Sequence, residues 1–338
     1  MVATPRAGAD NIASRRANTA CGPLRAPRVP DTTALMLFEL RNLTKTYGRV
    51  TALDDLSVTA PEGAVGLLGP NGAGKTTMIR SLMGLIRVDS GSGAVLGIDV
   101  RRRPLDVRQV VGFVPEDECL FPGVEGVEFV AYAGELAGMG RSDALQRAHE
   151  MLDYTGLGEA RYRRVESYST GMKQRLKIAA AIVHDPKLVI LDEPTNGMDP
   201  AGRVEVLELA RDLSHNKGMS LLFSSHLMLD VEAVCDHVLV MGRGRLLAQG
   251  ALADLTRAER PVFEVRVKDD PAAFAAVLGG LGCAVEPADD RLLVELPAGC
   301  SHDLLWRAAR DAGEQVRTLK PLRSSLEEVF LKAVAGLT

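Results

Sequence analysis

The sequence predicts an α/β domain with a mainly parallel sheet, followed by a small α+β domain. Three observations carry this. Between residues 37 and 258, short apolar strands alternate with segments of helical periodicity, the pattern of a sheet with both faces covered. Within that stretch, residues 120–165 lack strand signals and read as an all-helical insertion. From about residue 260 the order becomes strand, helix, two strands, helix, strand, helix.

Taken in order, residues 37–42 (LFELRN) and 50–58 are predicted strands, and 64–68 (AVGLL) is a short apolar strand between Gly63 and Gly69. Residues 75–86 place Met78, Ile79, Leu82, Leu85 and Ile86 at helical spacing. Residues 188–191 (LVIL) form a buried strand after Asp185-Pro186. Residues 200–213 read as a helix with Asp199 as N-cap and Pro200 at its first position. Residues 219–224 are another apolar strand, and 238–248 a hairpin around Gly242-Arg243-Gly244. In the smaller domain the expected strands are 262–268, a hairpin over 284–297, and 315–320; the helices are 271–282, 301–310 and 325–334. No catalytic constellation is visible there.

Composition narrows the function. Lys plus Arg is 40 against 44 Asp plus Glu, a net charge of −4, so no nucleic-acid partner is expected, since such binding needs clustered cations. The five cysteines are scattered without CxxC spacing, as in a reduced, cytoplasmic protein. No stretch approaches 18 consecutive apolar residues. Residues 1–35 hold four prolines, five arginines and few apolar residues, and are expected to be a disordered extension. Met36 opens the first patterned segment and is the expected start.

The strongest local signal is GPNGAGKTT, comprising Gly69, Pro70, Asn71, Gly72, Ala73, Gly74, Lys75, Thr76 and Thr77. It matches G-x-x-x-x-G-K-[ST] and lies between a short strand and a helix, the context that pattern requires. Such glycines let backbone N–H groups wrap a phosphate chain, and the helix N-terminus adds positive potential. Lys75 is placed to reach the β and γ phosphates, and the Thr76 hydroxyl to ligate Mg²⁺. The second signal is LVILDEP: an apolar strand delivers Asp192 and Glu193 at its C-terminal end, where α/β ligand sites lie. Asp192 is the expected Mg²⁺ holder, and Glu193 the group that orients or deprotonates an attacking water.

With YSTGM at 168–172, a variant of the LSGGQ signature just upstream of Asp192, the chain resembles the ATP-binding cassette (ABC) nucleotide-binding domains. The resemblance covers about residues 37–258. It implies a P-loop NTPase fold, a mixed sheet plus a helical subdomain near 112–185, within a domain over 36–258. Residues 259–338 then form an accessory α+β domain. It also implies that Ser169 and Gly171 contact the γ-phosphate of ATP held by a partner protomer. Tyr47, in KTYG, matches the residue that stacks on adenine, Asp199 the acid at the dimer interface, and His226 the histidine that senses the γ-phosphate. Glu116 stands where the family usually has Gln, and is expected to ligate Mg²⁺ and the nucleotide. Thr170 and Met172 replace Gly and Gln of the signature, and Met198 a common Leu.

The resemblance implies ATP hydrolysis with Mg²⁺ between two copies of the chain, a homodimer. It also implies a separate integral membrane permease, with the subunit peripheral at the inner face of the cell membrane. The SLEEVFL ending is similar to exporter ATPases that serve small ABC-2-type permeases. The rival is a soluble ABC ATPase acting on ribosome or DNA. Ribosome-acting members carry two cassettes, and DNA-repair members a long coiled coil between the two acidic and phosphate motifs; this chain has neither.

Overall fold

The computed structural model describes residues 36–256, 262–288, 290–297, 299–322 and 326–335. The expected disorder over 1–35 lies outside these residues.

The chain opens with a long antiparallel hairpin, β1 (Met36–Tyr47) and β2 (Val50–Pro61). β1 also pairs with β4 (Ser90–Val95), which carries the short β5 (Ile98–Asp99), giving a four-stranded sheet in the order β2-β1-β4-β5. β3 (Ala64–Leu68) belongs to a second sheet. Its other members are β6 (Val111–Val114), β7 (Leu188–Asp192), β8 (Ser220–Ser225), β9 (His237–Gly242) and β10 (Arg245–Ala251), in the order β10-β9-β3-β8-β7-β6. All its pairings are parallel except the β9–β10 hairpin. Strands β3, β7 and β8 are buried from end to end, as strands covered on both faces must be.

Helix α1 (Lys75–Leu82) turns Met78, Ile79 and Leu82 into a core shared with Phe38, Leu40 and Leu53 of the hairpin sheet. It stops earlier than the periodicity predicted: Gly84, at φ 61, breaks the helix before Leu85 and Ile86. A second helix, α2 (Pro104–Val110), starts on its proline and leads into β6. Residues 111–114 are therefore a core strand, and the expected helical segment near 112 begins only after Val114.

That segment contains α3 (Gly126–Leu136), α4 (Arg141–Tyr154) and two short 3₁₀ turns, then α5 (Thr170–Ile182). Val130, Ala148, Leu152, Leu176 and Ala179 form its separate core. The other face of the central sheet is covered by α6 (Pro200–His215), α7 (Met228–Val234) and part of α5. The side chain of Asp199 caps α6, accepting from Gly202 N–H.

After α8 (Leu252–Leu255) the chain builds β11 (Val262–Val267), α9 (Pro271–Gly280), β12 (Ala284–Ala288), β13 (Arg291–Glu295), α10 (Asp303–Asp311) and β14 (Val316–Leu322). The sheet is antiparallel, in the order β12-β13-β11-β14, over a core of Val265, Phe274, Leu278, Val294 and Leu305. The last helix, α11 (Leu326–Ala335), packs back on the first domain: Leu326 is 0% exposed within the core of α6 and α7, and its N–H donates to Glu232 Oε1 at 2.9 Å. Among the described residues, no helix is long and apolar enough to cross a membrane.

Candidate active site

The loop Gly69–Gly74 joins the C-terminal end of β3 to the first turn of α1. Gly74 must be glycine. Its φ is 102, and a Cβ there would stand 2.5 Å from the carbonyl oxygen of Ala52. The tight turn points the N-terminus of α1 into a cleft of about 490 Å³ lined by the loop, Val50, Ala52, Glu116, Glu193 and Arg243. Backbone N–H groups at a helix start make such a cleft anion-seeking.

Lys75 is buried. Its Nζ donates to Gly69 O at 2.6 Å and lies 3.0 Å from Glu193 Oε1. Glu193 follows β7 at φ 48, a left-handed conformation that costs a residue with a side chain about 1–3 kcal/mol. The other carboxylate oxygen, Oε2, meets His226 Nδ1 at 2.8 Å, and the His226 N–H donates to it at 3.3 Å. Lysine, glutamate and histidine, far apart in sequence, thus meet at the mouth of the phosphate loop.

Asp192 is buried at the end of β7 and accepts from the Thr76 hydroxyl at 3.0 Å. Burial pushes its carboxyl above the ordinary range; the Ser224 and Thr76 hydroxyls oppose this, and Glu193 and Glu116 add to it. Its Oδ1 has no well-aligned hydrogen-bond donor. A carboxylate in that state suits a cation, whose charge would reverse the cost of burial. No cluster of three or more metal-ligating side chains exists among the described residues. The oxygens of Thr76 and Asp192, 3.0 Å apart, fit Mg²⁺, which binds proteins through one or two oxygens and takes the rest from phosphate and water.

Glu116 lines the cleft and accepts from Asn196 Nδ2 at 3.1 Å. Its loop is clamped from below by Lys177 of α5, whose Nζ donates to Pro115 O at 2.7 Å and Asp117 O at 3.0 Å. Tyr47 ends β1, half exposed and paired with Val50 of the cleft wall; it does not itself line the cleft. Nor do Ser169, Gly171 and Asp199. Ser169 is an exposed N-cap of α5 and accepts from Met172 N–H. Asp199 is exposed at the start of α6.

Sequence reasoning missed Arg243, Lys177 and Asp230. Arg243 was visible only as the centre of a Gly-Arg-Gly turn; the fold places that turn against the loop, with Gly244 N–H on Ala73 O. Lys177 and Asp230 had no local signal, because their partners lie on other elements.

The family profile described as ABC transporter matches residues 53–196. The ABC transporter ATP-binding protein YxlF of Bacillus subtilis is 36% identical over 88% of this chain and 99% of its own. The daunorubicin/doxorubicin resistance ATP-binding protein DrrA of Streptomyces peucetius is 38% identical over 87% and 91%. The solved structure of cbiO1 from Clostridium perfringens, part of the ABC transporter complex cbiONQ, superposes with a TM-score of 0.60 at 26% identity, covering 65% of this chain and 90% of that one. Phosphate loop, buried acid pair and full-length relatives agree: the chain belongs to the ATP-binding proteins of ABC transporters.

Proposed function

We propose that Glu193, His226 and Lys75 carry ATP hydrolysis in a site that a second copy of the chain completes, and that the transport so powered is export. The chain is an ABC ATPase that drives transport through a separate permease. The observation that carries the catalytic assignment is the shared carboxylate of Glu193, with Lys75 on one oxygen and His226 on the other.

In this reading the loop N–H groups and the N-terminus of α1 hold the phosphates, and Lys75 neutralises the β and γ oxygens. Tyr47 stacks on the base, beside Val50. Thr76, Asp192 and Glu116 hold Mg²⁺, which when bound neutralises charge developing on the phosphate oxygens. Glu193 orients the attacking water and accepts its proton, while His226 fixes the carboxylate and faces the γ-phosphate. One chain supports only one wall of that phosphate. Ser169, exposed as the N-cap of α5, and Gly171, buried in its first turn, suit the opposite wall in a partner's site through their backbone and hydroxyl, and exposed Asp199 suits the same interface. The arrangement is a symmetric head-to-tail pair closed by ATP.

The permease contact is proposed beside Glu116. Phe121 is 51% exposed and packs on Phe129 and Tyr132 with ring centroids 5.7 and 6.0 Å apart. Exposed Leu136 extends this apolar patch, and a cavity of about 260 Å³ between Phe113, Cys119 and Lys177 adjoins it. Such a patch on a soluble surface marks a protein contact. Docking there places the subunit at the inner face of the membrane. Export rests on the resistance protein DrrA, which this chain resembles along nearly its full length.

The test is Glu193→Gln. The variant is expected to bind ATP, to form dimers with Mg·ATP in size-exclusion chromatography, and to hydrolyse at least about 100-fold more slowly. A monomer at saturating ATP, or a variant with full hydrolysis, overturns the proposal.

A further inference from the structure

We infer that Asp230 is a positioning residue that holds the Glu193–His226 pair and the start of α6 in one frame. Asp230 is 0% exposed on α7. Its Oδ2 accepts from the Thr195 hydroxyl at 2.5 Å; its Oδ1 accepts from Arg203 Nε at 2.7 Å and forms an ion pair with Arg203 Nη2 at 2.5 Å. A carboxylate this deep is costly unless its oxygens are met, so these bonds define a fixed point.

The fixed point closes a ring. From Glu193 the chain runs two residues to buried Thr195, whose hydroxyl reaches Asp230. From Asp230 the first turn of α7 runs back to His226, whose imidazole returns to Glu193. The ring cannot relax outward, because α7 is pressed on β3: a Cβ on Gly66 would stand 2.4 Å from Val231 Cγ1. The left-handed backbone of Glu193 needs such support, since strained conformers persist only where the surroundings over-determine them. Arg203 then ties the first turn of α6, capped by Asp199, to the same carboxylate. A movement at the Asp199 loop is thereby felt at the Glu193–His226 contact.

The inference rests on the catalytic roles proposed for Glu193 and His226, and the test separates the two. Arg203 is the variant of choice, because its side chain is 32% exposed and its loss empties no core site. In the full-length protein, Arg203→Gln is expected to lower kcat by about tenfold or more. The KM for ATP should stay within about twofold, because nucleotide binding is untouched. Arg203 donates one hydrogen bond and its charge to a single oxygen of Asp230, so Arg203→Lys, with a single amine, is expected to recover kcat to within about threefold of wild type. Asp230→Asn is measured alongside and should behave as Arg203→Gln. The inference is overturned if kcat of Arg203→Gln stays within about twofold of wild type, if the KM for ATP rises in step with the fall in kcat, or if Lys does not recover it. Glu193→Gln in the same series is the control: if it still hydrolyses, the catalytic assignment has failed; if it is inactive while Arg203→Gln is not, only the positioning role has.

Discussion

Lys177 gives a perturbation whose size can be worked from the structure. Its ammonium group is buried, at 8% exposure, and donates two hydrogen bonds to carbonyls of the Glu116 loop. A hydrogen bond involving a charged group contributes about 1.5–3 kcal/mol, so the two hold the loop by about 3 kcal/mol or more. Burial of the cation works against this, and it is the largest influence on the amine, pushing its pKa below the ordinary lysine value. Lys177→Met keeps the apolar stem and removes both effects. A net loss of about 2 kcal/mol is expected in urea unfolding at pH 7. The pH dependence has a definite sign. With a lowered pKa in the folded state, the unfolded chain binds more protons between that value and the ordinary one, so wild-type stability rises through this window. The gap between wild type and Lys177→Met should therefore widen from pH 8 to pH 10. A loss below about 0.5 kcal/mol at pH 7, or a gap that narrows as pH rises, would refute the clamp.

Other expectations are equally concrete. Gly74→Ala, which sets a Cβ 2.5 Å from Ala52 O in a left-handed backbone, should weaken ATP binding by about tenfold or more by calorimetry; unchanged affinity would contradict the loop geometry. Glu116→Gln keeps an acceptor for Asn196 and should retain hydrolysis within about threefold; complete loss would show that the acid itself is required. Cys119 and Cys300 are exposed, whereas burial raises the thiol pKa of Cys235 and Cys283. Brief alkylation of native protein, mapped by mass spectrometry, should mark the first two and spare the second two. Leu326→Ala should cost about 2–5 kcal/mol and expose α11 to protease; unaltered melting and digestion would mean that α11 contributes nothing to the docking.

The phosphate loop, the acid pair after β7 and the alternation of strands with helices were legible because each is a local pattern: Lys75 follows its glycines directly, and Asp192 and Glu193 end an apolar run. The strand, helix, two-strand, helix, strand, helix order of the C-terminal part was equally local, and the structure reproduces it within a few residues. What escaped was short or nonlocal. β4, β5 and α2 are too brief to show a period, and four of the six residues of β4 are glycine or serine. β1 runs on to Tyr47 because Lys45 and Tyr47, which show no apolar alternation, pair with Leu53 and Val50, and β2 runs on to Pro61 because Thr59 and Ala60 pair with Glu39 and Phe38. Lys177 and Asp230 lie in ordinary helical text; only the packing of α5 under the Glu116 loop and of α7 beside Thr195 gives them partners.

The return of α11 to the first domain changes the mechanics of the appended lobe. A lobe joined by one strand of polypeptide swings like a pendulum, and its motion is lost on its host. This one is sewn down a second time, by Leu326 in the core and by the Glu232 carboxylate on its first N–H. Two seams leave only rocking about the line between them. One seam is α7 itself, the segment that follows His226, so a force gripping the lobe from outside would be delivered next to the histidine.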